Sequence, residues 1–181
     1  MIIDDHVHLG GLFQDTDYFI KCLDESNVDC VLATPYMFED KDIPKVMKIK
    51  GIPPWLAGNK AIMELITKVM HNERFSRRYI DRPPNDYVAS MVERFPERVR
   101  GVYWINPNVE ELRNVEKYLT EHKFIGVKLH QVLYPCELNE KNMEIFDLAA
   151  AYKVPVFIHT ANPEEVKTIA RYMEKKPDLN V

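Results

Sequence analysis

The sequence predicts an α/β fold of the (β/α)8 TIM-barrel type, cut to about five β-α units plus the start of a sixth strand. Three observations predict it. Apolar, β-rich runs without polar alternation return along the chain, as expected for strands buried on both faces of a parallel sheet. Stretches with helical spacing fill the intervals between those runs. Histidines close the first, fourth and fifth runs, and histidines aimed at one mouth favour a barrel over a doubly wound open sheet. A closed barrel needs about 250 residues, whereas this chain has 181. It therefore reads as residues 1–181 of an N-terminal barrel portion.

The elements follow in order. Met1 to Val7 is the first strand, apolar apart from two aspartates. Asp17 to Ser26, with Tyr18, Phe19, Cys22 and Leu23, has helical spacing, and Asn27 to Ala33 reads as a buried strand. The rhythm then breaks over a proline-rich stretch holding Pro35, Pro44, Pro53, Pro54, Pro83 and Pro84. That length exceeds a connecting loop, so a helical insertion is expected at about 35–84, with a helix from Ala57 to about Met70. Asn85 to Phe95 is helical and stopped by Pro96; Val99 to Ile105 is a strand ended by Asn106-Pro107-Asn108. Val109 to His122 is a helix, Phe124 to His130 a strand, and Asn139 caps a helix running to about Tyr152. Val154 to Ile158 is the fifth strand. Pro163 sits in a first helical turn capped by Asn162, and the helix leads to Glu174. Pro177 to Val181 approaches one more strand.

Composition removes whole classes of function. A net charge of −4 leaves no basic field for nucleic acid. No apolar run nears the roughly 20 residues of a membrane span, and the N-terminus lacks a secretory pattern. Cys22, Cys30 and Cys136 are odd in number and scattered, which reads as reduced thiols in a cytoplasmic protein.

The chemistry concentrates at strand ends. In Asp4-Asp5-His6-Val7-His8-Leu9-Gly10, His6 and His8 are two apart on a strand, so both imidazoles face one side and can share a metal ion. Asp4 is expected on that same face as an orienting carboxylate, with Asp5 pointing away; a bulge would exchange the two. His159 ends the fifth strand and joins His6 and His8 as the expected metal ligands. Lys128 and His130 share a face of the fourth strand and are the candidate catalytic pair. A lysine facing a barrel interior is costly unless paired or used. Three uses stand open: a carbamylated bridge between two metals, a contact to a substrate carboxylate, or an ion pair with Asp4 or a neighbour. His71 and His122 look solvated, as do Arg74, Arg77, Arg78 and Arg82, although a folded-over insertion would let one arginine hold a substrate carboxylate.

These motifs, Ile3 to Gly10, Gly126-Val127-Lys128-Leu129-His130 and Val156-Phe157-Ile158-His159-Thr160, resemble the amidohydrolase superfamily. The nearer likeness is to its amidohydrolase-related branch, with the aminocarboxymuconate-semialdehyde decarboxylase-like proteins. The resemblance implies a (β/α)8 barrel holding one divalent ion, zinc in the first instance, with two not excluded. It assigns His6, His8 and His159 as ligands. It also implies an aspartate on an eighth strand and a histidine on a sixth, neither of which has a counterpart here. The implied activity is metal-dependent hydrolysis of an amide, ester or lactone. The alternatives are non-oxidative decarboxylation, or a non-catalytic half-barrel assembling with another chain. A small-molecule substrate is expected, a carboxylate among the candidates. Homo-oligomerisation is expected too, because an unclosed sheet leaves edges open to pairing.

Overall fold

The computed structural model describes residues 1–36, 81–131, 133–138, 143–160 and 163–181. Most of the expected insertion, the helix from Ala57 to Met70, His71, Arg74, Arg77, Arg78 and the caps Asn139 and Asn162 lie outside them. The elements are β1 (Ile3–Leu9), a 3-10 turn (Gly11–Phe13), α1 (Thr16–Glu25), β2 (Cys30–Pro35), α2 (Asn85–Arg94), β3 (Val99–Trp104), α3 (Leu112–Thr120), β4 (Gly126–His130), α4 (Glu144–Ala151), β5 (Val156–His159) and α5 (Pro163–Lys175).

All five strands pair in chain order, β1-β2-β3-β4-β5, and every pair is parallel. A doubly wound sheet reverses its strand order at a switch point; this one never does. The sheet also curls. Neighbouring strands lie about 4.8 Å apart, so β1 and β4 would be about 14 Å apart in a flat sheet. Yet Lys128 Nζ on β4 reaches to 3.4 Å from His6 Nε2 on β1. The five units are an arc of a barrel.

Period-2 alternation sorts the strand residues into two layers. Val7, Leu9, Val31, Ala33, Val99, Tyr103, Val127, Leu129 and Val156 belong to the core between sheet and helices. They pack against Phe19 and Leu23 of α1, Val115 and Leu119 of α3, Phe146 and Ala149 of α4 and Ile169 of α5. The other parity carries the polar chemistry to the concave side. Asp15 starts α1 by accepting a hydrogen bond from the Tyr18 N–H at 3.0 Å, the usual N-cap arrangement.

Several boundaries differ from expectation, β2, β4 and β5 by one to three residues among them. β1 runs to Leu9, two residues past the expected end at Val7, so His8 as well as His6 lies within it. α3 begins at Leu112, not Val109, because Asn106 holds a turn ahead of it. Its N–H donates to Glu110 Oε2 at 2.8 Å, and its Oδ1 accepts the Asn108 N–H at 3.1 Å. At the far end, residues 177–181 form no strand, but the Val156 N–H donates to Asn180 O at 2.8 Å. Leu179 is buried beside it. No described helix is long and apolar enough to cross a membrane.

Gly101 occupies a core-facing position of β3, where a Cβ would lie 2.6 Å from the Phe124 ring. That ring is buried against Tyr103 and Tyr118 and cannot swing clear. Gly101→Ala should therefore cost about 1–3 kcal/mol, the range for overpacking. Urea denaturation of the two proteins measures it, and an unchanged midpoint would contradict this packing.

Candidate metal centre

β1 and β2 build the core of the site. Register sets His8 beside Thr34 and Leu9 beside Pro35. His8 Nδ1 lies 3.0 Å from the Pro35 carbonyl and 3.1 Å from Thr34 Oγ1. A carbonyl only accepts, so Nδ1 carries the proton and the Nε2 lone pair is free. That lone pair faces His6 Nε2 at 3.0 Å. Metal-ligating histidines typically donate their other N–H to a carbonyl or carboxylate in this way. Nitrogens that each bind one zinc at about 2.0–2.1 Å sit about 3 Å apart, so the donor pair fits a divalent ion.

The strand end is held by glycine. Gly10 has φ +127°, and a Cβ there would meet the Tyr36 Cβ at 2.7 Å. The Tyr36 N–H in turn donates to Leu9 O at 2.8 Å, which keeps the end of β2 against the end of β1.

Asp4 does not take the orienting role expected of it. Asp4 pairs with Val31 and Val7 with Ala33, so β1 carries one extra residue between these rungs, a bulge. The bulge shifts Asp4 off the histidine parity. Its Oδ1 accepts the His6 backbone N–H at 3.1 Å instead of orienting the ring. Asp5 is the carboxylate whose charge bears on the His6 ring.

β3, β4 and β5 bring a second group of rings. Trp104 is the register partner of Lys128, and His130 of His159. The Trp104, His130 and His159 rings form a column with 10° between successive planes, at 5.4 and 4.1 Å centroid separations. Trp104 also lies 5.3 Å from the His8 ring and so joins the two groups. His130 Nδ1 accepts the Leu133 N–H at 3.2 Å, which leaves Nε2 to carry the proton of a neutral ring. His159 bears electrostatically on His6 and His8, but it stacks on His130 and does not touch either ring. Among the described residues, no third histidine, cysteine or carboxylate completes a metal-holding cluster with His6 and His8.

Sequence reasoning did not single out Trp104, Asn85, Thr34 or Pro35 for the site. Asn85, buried at the start of α2, clamps the end of β3 from both sides. Its Nδ2 donates to Trp104 O and its Oδ1 accepts the Trp104 N–H, each at 2.9 Å. The signal for Trp104 was its parity with the strand's inward positions, usable only once register with Lys128 is known.

Desolvation is the largest influence on Lys128 and on the four histidines of the site. It holds Lys128 down to about 8 and, with the neighbouring cations, His6 to about 4 and His130 to about 3. His8 and His159 are lowered for the same reason. All four imidazoles are therefore neutral at pH 7, the form that binds a metal.

No protein-family model matches the chain, and no curated protein matches it by sequence. Solved structures do match by shape. One is the 4-oxalomesaconate hydratase of Rhodopseudomonas palustris: TM-score 0.56, 13% identity, 99% of this chain and 61% of that one covered. A second is a probable 2-pyrone-4,6-dicarboxylic acid hydrolase of Acinetobacter baumannii with citric acid bound, at TM-score 0.51, 14% identity and coverage of 88% and 49%. A third is the 5-carboxyvanillate decarboxylase of Novosphingobium aromaticivorans, with manganese and a nitrobenzoic acid bound: TM-score 0.53, 17% identity, coverage 94% and 48%. The chain thus shares their fold and spans 48 to 61% of their lengths.

The lowered imidazoles fix the sign of an acid effect. Unfolded histidines take up protons near pH 6.5, whereas these folded ones resist to about 4 (His6) and about 3 (His130). The unfolded state binds more protons in that window, so stability present above pH 6.5 is lost as pH falls through it. Metal-free protein should show a lower urea midpoint at pH 5 than at pH 7.5, with a smaller drop in His130→Gln. An equal midpoint at both pH values would contradict the desolvated cluster.

Proposed function

We propose that this chain carries the first five β-α units of an amidohydrolase-superfamily enzyme that uses a divalent metal ion on a small carboxylic acid. The observation that carries this reading is the His8 Nδ1–H bond to Pro35 O, which turns the Nε2 lone pair toward His6 Nε2. The shared fold with metal-holding and carboxylate-binding enzymes supports it. His6 and His8 hold the ion, and His159, at the end of β5, is the third ligand we assign. Zinc suits the imidazole donors, with manganese the alternative that the decarboxylase's bound ion favours. When bound, the ion supplies a Lewis acid and lowers the pKa of a coordinated water.

The protein's own groups then have distinct tasks. Pro35 O and Thr34 Oγ1 fix the His8 tautomer. Lys128, buried and outside any ion pair among the described residues, supplies positive charge to a carboxylate. His130, neutral and protonated at Nε2, donates a hydrogen bond. The reaction we assign first is hydrolysis of an amide, ester or lactone. A second reading, decarboxylation, is favoured by the same Lys128: a buried cation stabilises an electron pair left on the substrate's oxygen system as carbon dioxide departs.

The outer edge of β1, next to exposed Met1, Ile2 and Ile3, pairs with no described strand, and we assign it to association with a second copy. The cysteines Cys22, Cys30 and Cys136 are free, which fits a reducing, cytoplasmic setting.

His8→Ala and His159→Ala should each weaken zinc retention by at least about tenfold, the lower end for disturbing a metal ligand's surroundings. Elemental emission on dialysed protein reads this, and full retention in both variants would sink the metal reading. Carbon dioxide release from aromatic and enoic acids, set against lactone and ester cleavage, separates the two reactions.

A further inference from the structure

Among the described residues, two neighbours on the concave face carry unmet needs: the Trp104 indole lacks an acceptor, and Lys128, hydrogen-bonded to neutral His6 Nε2, lacks a counter-charge. Trp104, 1% exposed, has an indole N–H with no hydrogen-bond partner among the described residues. Buried polar groups in native proteins are nearly always satisfied, and an orphan calls for an explanation such as a bound group. Its register partner Lys128 is 3% exposed. The Lys128 ammonium lies 3.4 Å from an imidazole nitrogen and forms no ion pair with any described carboxylate. A buried charge left in this state is costly unless a counter-charge arrives. One ligand chemistry satisfies both needs at once: a negative charge spread over two acceptor oxygens.

We infer that Trp104 and Lys128 form a carboxylate clamp, with the indole N–H and the ammonium each taking an oxygen of the same substrate carboxyl group. This deepens the proposed function and rests on it, since Lys128 lies against His6 and the Trp104 ring against His8. Several features hold Trp104 for this task. Asn85 fixes its backbone on both sides, and His130 stacks against its ring. His8 and Tyr134 close its other approaches, at 5.3 and 6.3 Å between centroids. The ring is therefore set before a ligand arrives, which limits the ordering cost of binding. The pair also gives the buried lysine a use: β4 places its cation beside Trp104, a rigid neutral donor that completes a two-point contact.

Benzoate is the probe, and benzamide its uncharged counterpart of the same shape. In ¹⁵N-labelled, zinc-loaded protein the two indole N–H signals belong to Trp55 and Trp104, and Trp104→Phe assigns them. Benzoate should move the Trp104 signal downfield while benzamide leaves it in place. Trp104→Phe keeps the stacking ring and should weaken benzoate about 10- to 100-fold, the value of a hydrogen bond to a charged group, without loss of zinc. Lys128→Met should abolish benzoate binding. An unmoved Trp104 signal under bound benzoate, equal binding of benzamide, or no binding at about 10 mM benzoate, where a millimolar ligand saturates, would overturn the clamp. So would a ¹³C carbamate signal that disappears in Lys128→Met, because the acceptor would then be internal. Each of these outcomes is read on protein that has retained zinc. Failure to retain zinc is a separate result and overturns the metal reading.

Discussion

The site depends on one hydrogen bond, from His8 Nδ1–H to the Pro35 carbonyl at 3.0 Å. That bond chooses the tautomer, and the tautomer decides whether the Nε2 lone pair is free to bind a cation. It exists because β1 and β2 lie parallel with Leu9 opposite Pro35, and because a proline ends β2 where its carbonyl can face a neighbouring ring. Gly10 lets β1 stop at that point. Its positive φ and the close approach of Tyr36 leave no room for a side chain. Backbone register therefore reaches the chemistry through a single acceptor.

The same enclosure gives the concave face its electrostatic character. Removal from water disfavours charge on every ring and on Lys128, and each positive group disfavours the next. Imidazoles that resist protonation present lone pairs rather than charges near neutrality, so protons compete little with a metal. The cost appears as a cluster of basic groups with few anions among them. Such a face is stable with an ion shared between two nitrogens and an anionic ligand nearby. This is why the metal pair and the Trp104–Lys128 pair belong to one site.

Much of the fold was legible in the sequence because strand and helix periods differ. Unalternated apolar runs between amphipathic stretches gave the parallel sheet, and His6-x-His8 gave a pair of rings on one face. The parity of Lys128 and His130 was legible for the same reason. Register was not. The bulge that moves Asp4 off the histidine parity arises from the mismatch of Asp4–Val7 against Val31–Ala33, a relation between strands that neither strand's residues express. Trp104 read as one more apolar residue of β3, because its meaning comes from standing beside Lys128 and between His8 and His130. Helix starts moved for local reasons, as where Asn106 and Glu110 hold a turn ahead of α3. His159 fell where expected at the end of β5, yet its ring spends its face on His130.

In the proposed centre His8 is neutral with its proton on Nδ1 and shares one ion with His6 through Nε2. Long-range ¹H–¹⁵N correlation of the histidine rings tests it directly, first in metal-free protein and then with one equivalent of zinc. The Nδ1–H form of His8 is expected in both, with the Nε2 resonances of His6 and His8 moving together on zinc addition. An Nε2–H form of His8, or zinc leaving both Nε2 resonances in place, would contradict it.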